Sequence, residues 1–282
     1  MRISSQQIFD SGISSMQQHT ADVIAAQRQI STGQKYHRAS DSALAAGLGV
    51  QLIFDRAQFE MYKVNQDHLN QTYANADTQL KSTFDALAAF QRTMVQAGNG
   101  TLSDSELKTL GAQARSLMVS LFGDGASVTG VIDSKDANGQ PIFKTGNITN
   151  VEVAPGIELG NGVSRSEVVD TEMNIKTLLQ KVVNQFESSS SVRPTAQDMQ
   201  DIDTALKQVT KAQVKVGLLQ NQLDSATQFA ESQKLNVETA RSNLLDTDLA
   251  ETTAQLAKSN ALLQAAQAII TKLDTNTLFQ KL

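Results

Sequence analysis

The sequence predicts a mainly α protein, an elongated helical rod whose long flanks enclose a small β-rich insertion. Three observations carry that expectation: the partition of glycine and proline, heptad-spaced apolar stripes in both flanks, and the scarcity of charge near both ends. From Thr195 to Leu282 there is no proline and a single glycine, Gly217, whereas Gly123 to Gly162 holds eight of the sixteen glycines together with Pro141 and Pro155. Both residue types break helices and mark turns, so the flanks read as helix and the middle as short strands and turns.

The elements follow in order. The N-terminal segment carries a sparse stripe through Ile13, Met16, Val23 and Ile30, with Thr20 and Gln27 at the intervening positions. Gly33 then reads as the left-handed residue that closes this helix, and Ser40 or Asp41 as the cap of the next. From Ser42 to Gln96 the pattern resumes through Tyr62, Leu69, Tyr73, Ala76, Leu80, Leu87 and Met94, and Gly98 and Gly100 mark a turn. In the middle, Asn138-Gly139 is a turn signal, and Val151, Val153, Ile157 and Leu159 fit short strands. This module is small enough to lean on the rod for part of its burial. Ser188 to Ser191 and Arg193-Pro194 read as a flexible turn, after which Thr195 caps a long helix. Its stripe runs through Met199, Ile202, Leu206, Val209, Gln213, Val216, Leu219, Leu223, Ala226, Ala230 and Val237. A helix from Thr195 to Ser242 would be roughly 70 Å long, more than a compact core needs. A further stripe leads from Leu245 through Leu249, Thr252, Leu256, Ser259, Leu263, Ala266 and Ile270 to Leu273.

The charge pattern sharpens the reading. Between Ser11 and Thr32 the only charges besides titratable His19 are Asp22 and Arg28, and between Thr252 and Thr271 there is only Lys258. A solvent-facing helix normally carries charge on its outer face. Two readings fit: ordinary amphipathic helices with neutral polar faces, or helices surrounded by other protein, since small neutral side chains allow close approach without burying charge. The second is the expectation, and it requires an assembly, because a single polypeptide cannot easily surround both of its own ends. Composition excludes other classes. A net charge of −5 gives no basic stripe for nucleic acid. No window approaches the length of apolar sequence that spans a membrane. The absence of cysteine rules out disulfides, thiolate nucleophiles and zinc–thiolate sites. The opening MRISSQQIFDSGISS lacks the apolar run of a secretory signal peptide, so any export is expected to use no cleaved leader.

No chemistry emerges from the polar clusters. Ser31-Thr32-Gly33-x-Lys35 has the wrong order for a phosphate loop and follows a helix instead of a strand. His37 and Asp41 stand four apart without a nucleophile beside them, and His19 and His68 are isolated. Asp246 and Asp248 lie where a helix start needs capping. In the middle module Ser164, Ser166 and Glu167 have no histidine to pair with, which disfavours an enzyme sited there. No catalytic residue, metal ligand or cofactor is expected. A membrane-inserting translocator is disfavoured by the missing apolar hairpin.

The segments MRIS, QISTGQKY and ASDSALAAGLGVQ resemble the N-terminal region of the flagellin family of axial proteins. LLDTDLAETTAQLAKSNALLQAAQAIITKLDTNTLFQKL resembles that family's C-terminal region. The MRIS opening, the closing LFQKL and the reduced Ala240-Arg241-Ser242-Asn243 phrase are more similar to the hook–filament junction branch than to filament flagellin, the alternative. Where the family turn carries Pro-x-Asp-Asp-Pro, this protein has Ala39-Ser40-Asp41-Ser42-Ala43.

The resemblance implies paired N- and C-terminal helices, a coiled coil of residues 1–44 and 244–282 that assembles the protein. Residues 45–120 and 170–243 would form the rod, and residues 121–169 a protruding outer module. The implied assembly seam is Ile13, Met16, Val23 and Ile30 against Leu249, Leu256, Leu263 and Ile270, with Gly33, Ser40 and Asp41 in the interhelical turn. The implied partners are like subunits in a ring, a neighbouring hook-associated protein, flagellin, and an export chaperone on the C-terminal helix. The implied location is the extracellular flagellum.

Overall fold

The computed structural model describes residues 5–188 and 192–279. The MRIS opening, the end of the LFQKL motif and most of the Ser188–Ser191 turn lie outside the described residues, as does the side chain of Leu273. Among the described residues the polypeptide forms seven helices and four short strands. They are α1 (Ser5–Thr32), α2 (Ala43–Ala97), α3 (Asp104–Phe122), β1 (Phe143–Lys144), β2 (Asn150–Ala154), β3 (Ile157–Gly160), β4 (Val163–Ser164), α4 (Arg165–Val169), α5 (Ile175–Glu187), α6 (Ala196–Leu245) and α7 (Leu249–Phe279). The mainly α fold with a small β-rich insertion is therefore present.

The contacts divide into two units, one of residues 1–57 and 234–282, the other of residues 58–233. Helices α2 and α6 each contribute to both, and run without interruption through the expected boundaries at 44/45 and 243/244.

The second unit holds the main core. On α2 the predicted stripe Tyr62, Leu69, Tyr73, Ala76, Leu80, Leu87 and Met94 is buried throughout, because i, i+3, i+4 and i+7 positions share one helix face. On α6 Ile202, Val209, Val216, Leu223, Ala226 and Ala230 join the same cluster. Helix α5 buries Ile175, Leu178, Leu179, Val182, Val183 and Phe186 at the same spacing. It packs on α3, where Gly111 permits the approach: a Cβ there would stand 2.8 Å from Phe186 Cβ. Arg115 Nε donates to Glu187 Oε1 at 2.6 Å beside that contact.

Helix starts in this unit are closed by local side chains. Ser103 and Glu106 form a reciprocal capping box on α3, and Asn174 Oδ1 accepts from Thr177 N–H at 2.8 Å on α5. At the start of α6 the Thr195 N–H and hydroxyl both donate to Asp198 Oδ2 at 2.8 Å. Asp198 is fully buried, and its other oxygen meets Lys181 Nζ of α5 at 2.7 Å.

The glycine-rich module forms two small sheets. β2 and β3 pair antiparallel, and β1 pairs parallel with β4. Gly156, at φ +72°, turns the β2–β3 hairpin, and Gly139, at φ +76°, turns the loop predicted at Asn138. The hairpin docks on α2 through a ladder of polar side chains. Tyr62 Oη donates to Glu152 Oε1 at 3.0 Å, Asn65 Nδ2 to the Glu152 carbonyl at 2.8 Å, and Gln66 Nε2 to the Val153 carbonyl at 2.6 Å. Tyr73 Oη donates to the Gly160 carbonyl at 2.5 Å. These bonds satisfy buried strand groups that a two-stranded sheet leaves open, and they show how the module shares the helical core.

Candidate assembly site

Helix α1 packs along α7 in the first unit. The pairing is antiparallel, since Gly12 lies against Ile270 while Gly33 lies against Thr247. The face of α1 that turns inward contains Gly12, Met16, His19, Val23, Ala26 and Ile30, flanked by Ile13. This alternation of four and three residues is the seam of a two-helix pair. The intervening positions expected at Thr20 and Gln27 are exposed; His19 and Ala26 occupy them instead. Gly12 makes close room for Ile270, because a Cβ there would stand 3.3 Å from Ile270 Cγ1.

On α7 the inward face is Thr252, Leu256, Ser259, Leu263, Ala266 and Ile270, with Thr252 and Ser259 the most buried. Of the eight seam residues read from the sequence, Ile13, Met16, Val23, Ile30, Leu256, Leu263 and Ile270 are half-buried within the single polypeptide. Leu249 is 54% exposed, because it is the first residue of α7 and stands just past the turn that aims the helix.

The two interhelical turns are joined to each other. Gly33, at φ +69°, ends α1 by donating its N–H to the Gln29 carbonyl at 2.8 Å. Its own carbonyl accepts from Thr247 N–H at 2.9 Å, and Lys35 N–H donates to the Leu245 carbonyl at 2.7 Å. A short antiparallel bridge between Gln34 and Asp246 results. The cap of α2 is Ser42, whose Oγ accepts from Ala45 N–H at 3.2 Å, and not Ser40 or Asp41. Asp41 instead folds the turn on itself: Oδ2 accepts from Arg38 N–H at 2.9 Å and from His37 N–H at 3.0 Å. Those two amides, Arg38 first, hold its carboxyl below the ordinary carboxylate value. Asp248 caps α7 by accepting from the N–H groups of Ala250 and Glu251.

The arrangement offers packing surfaces and little chemistry. A polar cleft of about 520 Å³ beside the joined turns is lined by Gln29, Lys35, Asp246, Asp248 and Glu251. Asp248 is engaged in capping, and no group of three His, Cys, Asp or Glu among the described residues could hold a metal ion. His37 Nε2 is buried and makes no hydrogen bond among the described residues. Several large apolar side chains stand among the exposed, mostly small and neutral residues of this unit. Ile24, Leu262 and Ile269 are exposed on α1 and α7, as are Leu44, Leu48, Val50, Ile53 and Phe54 at the start of α2. Among the described residues no helix is long and apolar enough to cross a membrane.

Comparison with known proteins agrees with this architecture. Residues 3–143 match the family model of the bacterial flagellin N-terminal helical region, and residues 199–282 that of the C-terminal helical region. The protein is 23% identical to flagellar hook-associated protein 3 of Salmonella typhimurium, over 99% of both sequences. It is 22% identical to the Bacillus subtilis flagellin over 86% of each. A solved structure of a putative flagellar hook-associated protein from Vibrio parahaemolyticus superposes with a TM-score of 0.62 at 18% identity, covering 73% of this protein and 100% of that one. With half of the sequence matched by the N-terminal model alone and the matching C-terminal helices packed against it, the chain belongs to the bacterial flagellin family.

Proposed function

We propose that this protein is a hook-associated protein that joins hook to filament by assembling through its terminal helices. Support comes first from the pair α1–α7, whose large inward apolar side chains are only half-buried within one polypeptide and whose outer faces carry exposed Ile24, Leu262 and Ile269 with few charges. Exposed apolar side chains on helix faces that carry almost no charge are ones that other protein can cover. The relatives named hook-associated protein 3 align over their whole length, which favours the junction role over filament flagellin.

In this reading Ile13, Met16, Val23, Ile30, Leu249, Leu256, Leu263 and Ile270 form the seam, and Leu249 becomes covered only between like subunits. The partners are a second hook-associated protein on one side, flagellin on the other, and an export chaperone holding the C-terminal helix before assembly. The protein acts outside the cell, at the flagellum, and has no enzymatic role.

Leu263→Asp tests it. A carboxylate forced into the seam costs several kcal/mol, on the order expected for an unpaired buried charge. The variant should keep its helical core yet fail to incorporate or restore motility. Normal incorporation would sink the proposal. Electron microscopy of seeded protein separates the two branches: a short terminating ring marks a junction protein and long fibres mark filament flagellin.

A further inference from the structure

The sequence contains three Asn-Gly dipeptides, Asn99-Gly100, Asn138-Gly139 and Asn161-Gly162, and the structure treats them differently. We propose that Asn99-Gly100, in the turn between α2 and α3, is a self-modification site where the asparagine carboxamide is lost as ammonia through a cyclic imide. In that step the Gly100 backbone nitrogen gives its proton to solvent and bonds to Asn99 Cγ. The bond from Cγ to the carboxamide nitrogen then breaks, and that nitrogen departs as ammonia after taking a proton. Water opens the five-membered ring at either carbonyl, leaving aspartate or isoaspartate. No electron transfer is involved.

Three features converge on this dipeptide. The Gly100 N–H makes no hydrogen bond among the described residues, so its nitrogen is free to attack. The Asn99 Oδ1, where negative charge develops, already accepts from Thr101 N–H at 3.3 Å and from the Thr101 hydroxyl at 3.1 Å. Donors already aimed at a developing oxyanion lower the barrier. The Arg193 guanidinium lies beside Gly100, with Nη1 3.5 Å from where a Cβ would stand, fixed by donation from Nη2 to the Leu102 carbonyl at 2.9 Å. A cation there favours loss of the amide proton and the charge that follows.

The other two dipeptides are held. Gly139 N–H is committed to the Asp136 carbonyl at 3.0 Å, and the Asp136 carboxylate ties the amides of Asn138 and Gln140 at 2.9 and 2.8 Å. Asn161 donates from Nδ2 to Thr149 Oγ1 at 2.6 Å and from its backbone N–H to the Thr149 carbonyl at 2.9 Å, and Gly162 is buried. The product at Asn99 would place a carboxylate, or an extra backbone methylene, in the groove that also holds Leu102 and Glu106.

The test is peptide mapping of the intact protein aged at mildly alkaline pH. A mass gain of about one dalton, split between aspartate and isoaspartate, should accumulate at Asn99 about tenfold faster than at Asn138 or Asn161. Thr101→Val and Arg193→Gln should each slow Asn99 severalfold, while an unchanged rate at Asn138 in the same samples shows that the fold is retained. Gly100→Ala should slow it further by hindering ring closure. Equal rates at the three sites, a lead by Asn138 or Asn161, or an Asn99 rate indifferent to both Thr101→Val and Arg193→Gln would each overturn the assignment.

Discussion

The Gly33 carbonyl accepts a hydrogen bond from the Thr247 N–H at 2.9 Å, so the turn that ends α1 and the turn that begins α7 are one joined structure. The bond depends on Gly33, whose φ of +69° aims its carbonyl outward from the helix. Replacement by valine forces a β-branched residue into the left-handed region at roughly 1–2 kcal/mol. Gly33→Val should therefore accelerate hydrogen exchange at the Thr247 and Lys35 amides while leaving the amides of α3 and α5 protected. Unchanged exchange at both amides would show that the joint does not depend on this glycine.

The α3–α5 contact is set by Gly111. With a Cβ 2.8 Å from that of Phe186, Gly111→Ala should overpack the interface and cost about 1–3 kcal/mol, despite the helix propensity that alanine adds. Urea unfolding followed by circular dichroism measures this, and a stabilised variant would contradict it.

Asp198 should govern acid stability. Burial opposes its charge, but Lys181 and the Thr195 N–H and hydroxyl outweigh that and lower its pKa from 3.8 to about 2. A depressed folded value means that its contribution is present above the unfolded value and is lost as pH falls through about 2. The shift corresponds to roughly 2 kcal/mol. Asp198→Asn should lower stability near neutrality and flatten the pH dependence of the urea midpoint between the two pKa values; a mutant curve parallel to the parent would refute this role.

Tyr73 predicts the opposite dependence. Burial pushes its phenol up to about 12, so the folded state resists ionisation that the unfolded polypeptide undergoes near 10. The stability tied to this group is present below the unfolded value and disappears as pH rises through about 12. Tyr73→Phe removes that alkaline slope. It also leaves the Gly160 carbonyl without its donor, at about 1 kcal/mol. Alkaline unfolding curves of parent and variant provide the comparison.

What could be read from the residues depended on whether side chains or backbone made the feature. The stripes of α2 and α6 were legible because Tyr62 to Met94 and Ile202 to Ala230 repeat at helical spacing and are buried as that spacing requires. The inward faces of α1 and α7 were legible in outline, but His19 and Ala26 were hidden: one is polar and the other small, so neither marks a stripe by hydropathy. Gly12 was the available signal, a small residue one turn before Met16. The cap of α2 was misplaced because Ser40, Asp41 and Ser42 are three capping residues in succession, and only the local folding of Asp41 onto His37 and Arg38 leaves Ser42 for the helix. The joint of Gly33 and Lys35 with Leu245 and Thr247 was not legible at all, since backbone bonds carry no side-chain signature. Gly111 was legible only as an interruption of helix propensity.

The pairing of α1 with α7 has a consequence for the order of folding. During synthesis α1 emerges with residues 33–248 still to follow, so its partner does not yet exist. Closing so distant a contact costs conformational entropy that is recovered only once α7 is complete. The second unit, whose strands and helices are contiguous along the polypeptide, can consolidate earlier. The α1–α7 pair is then the last part of the molecule to form and the first to be given up when the protein is pulled open from either end.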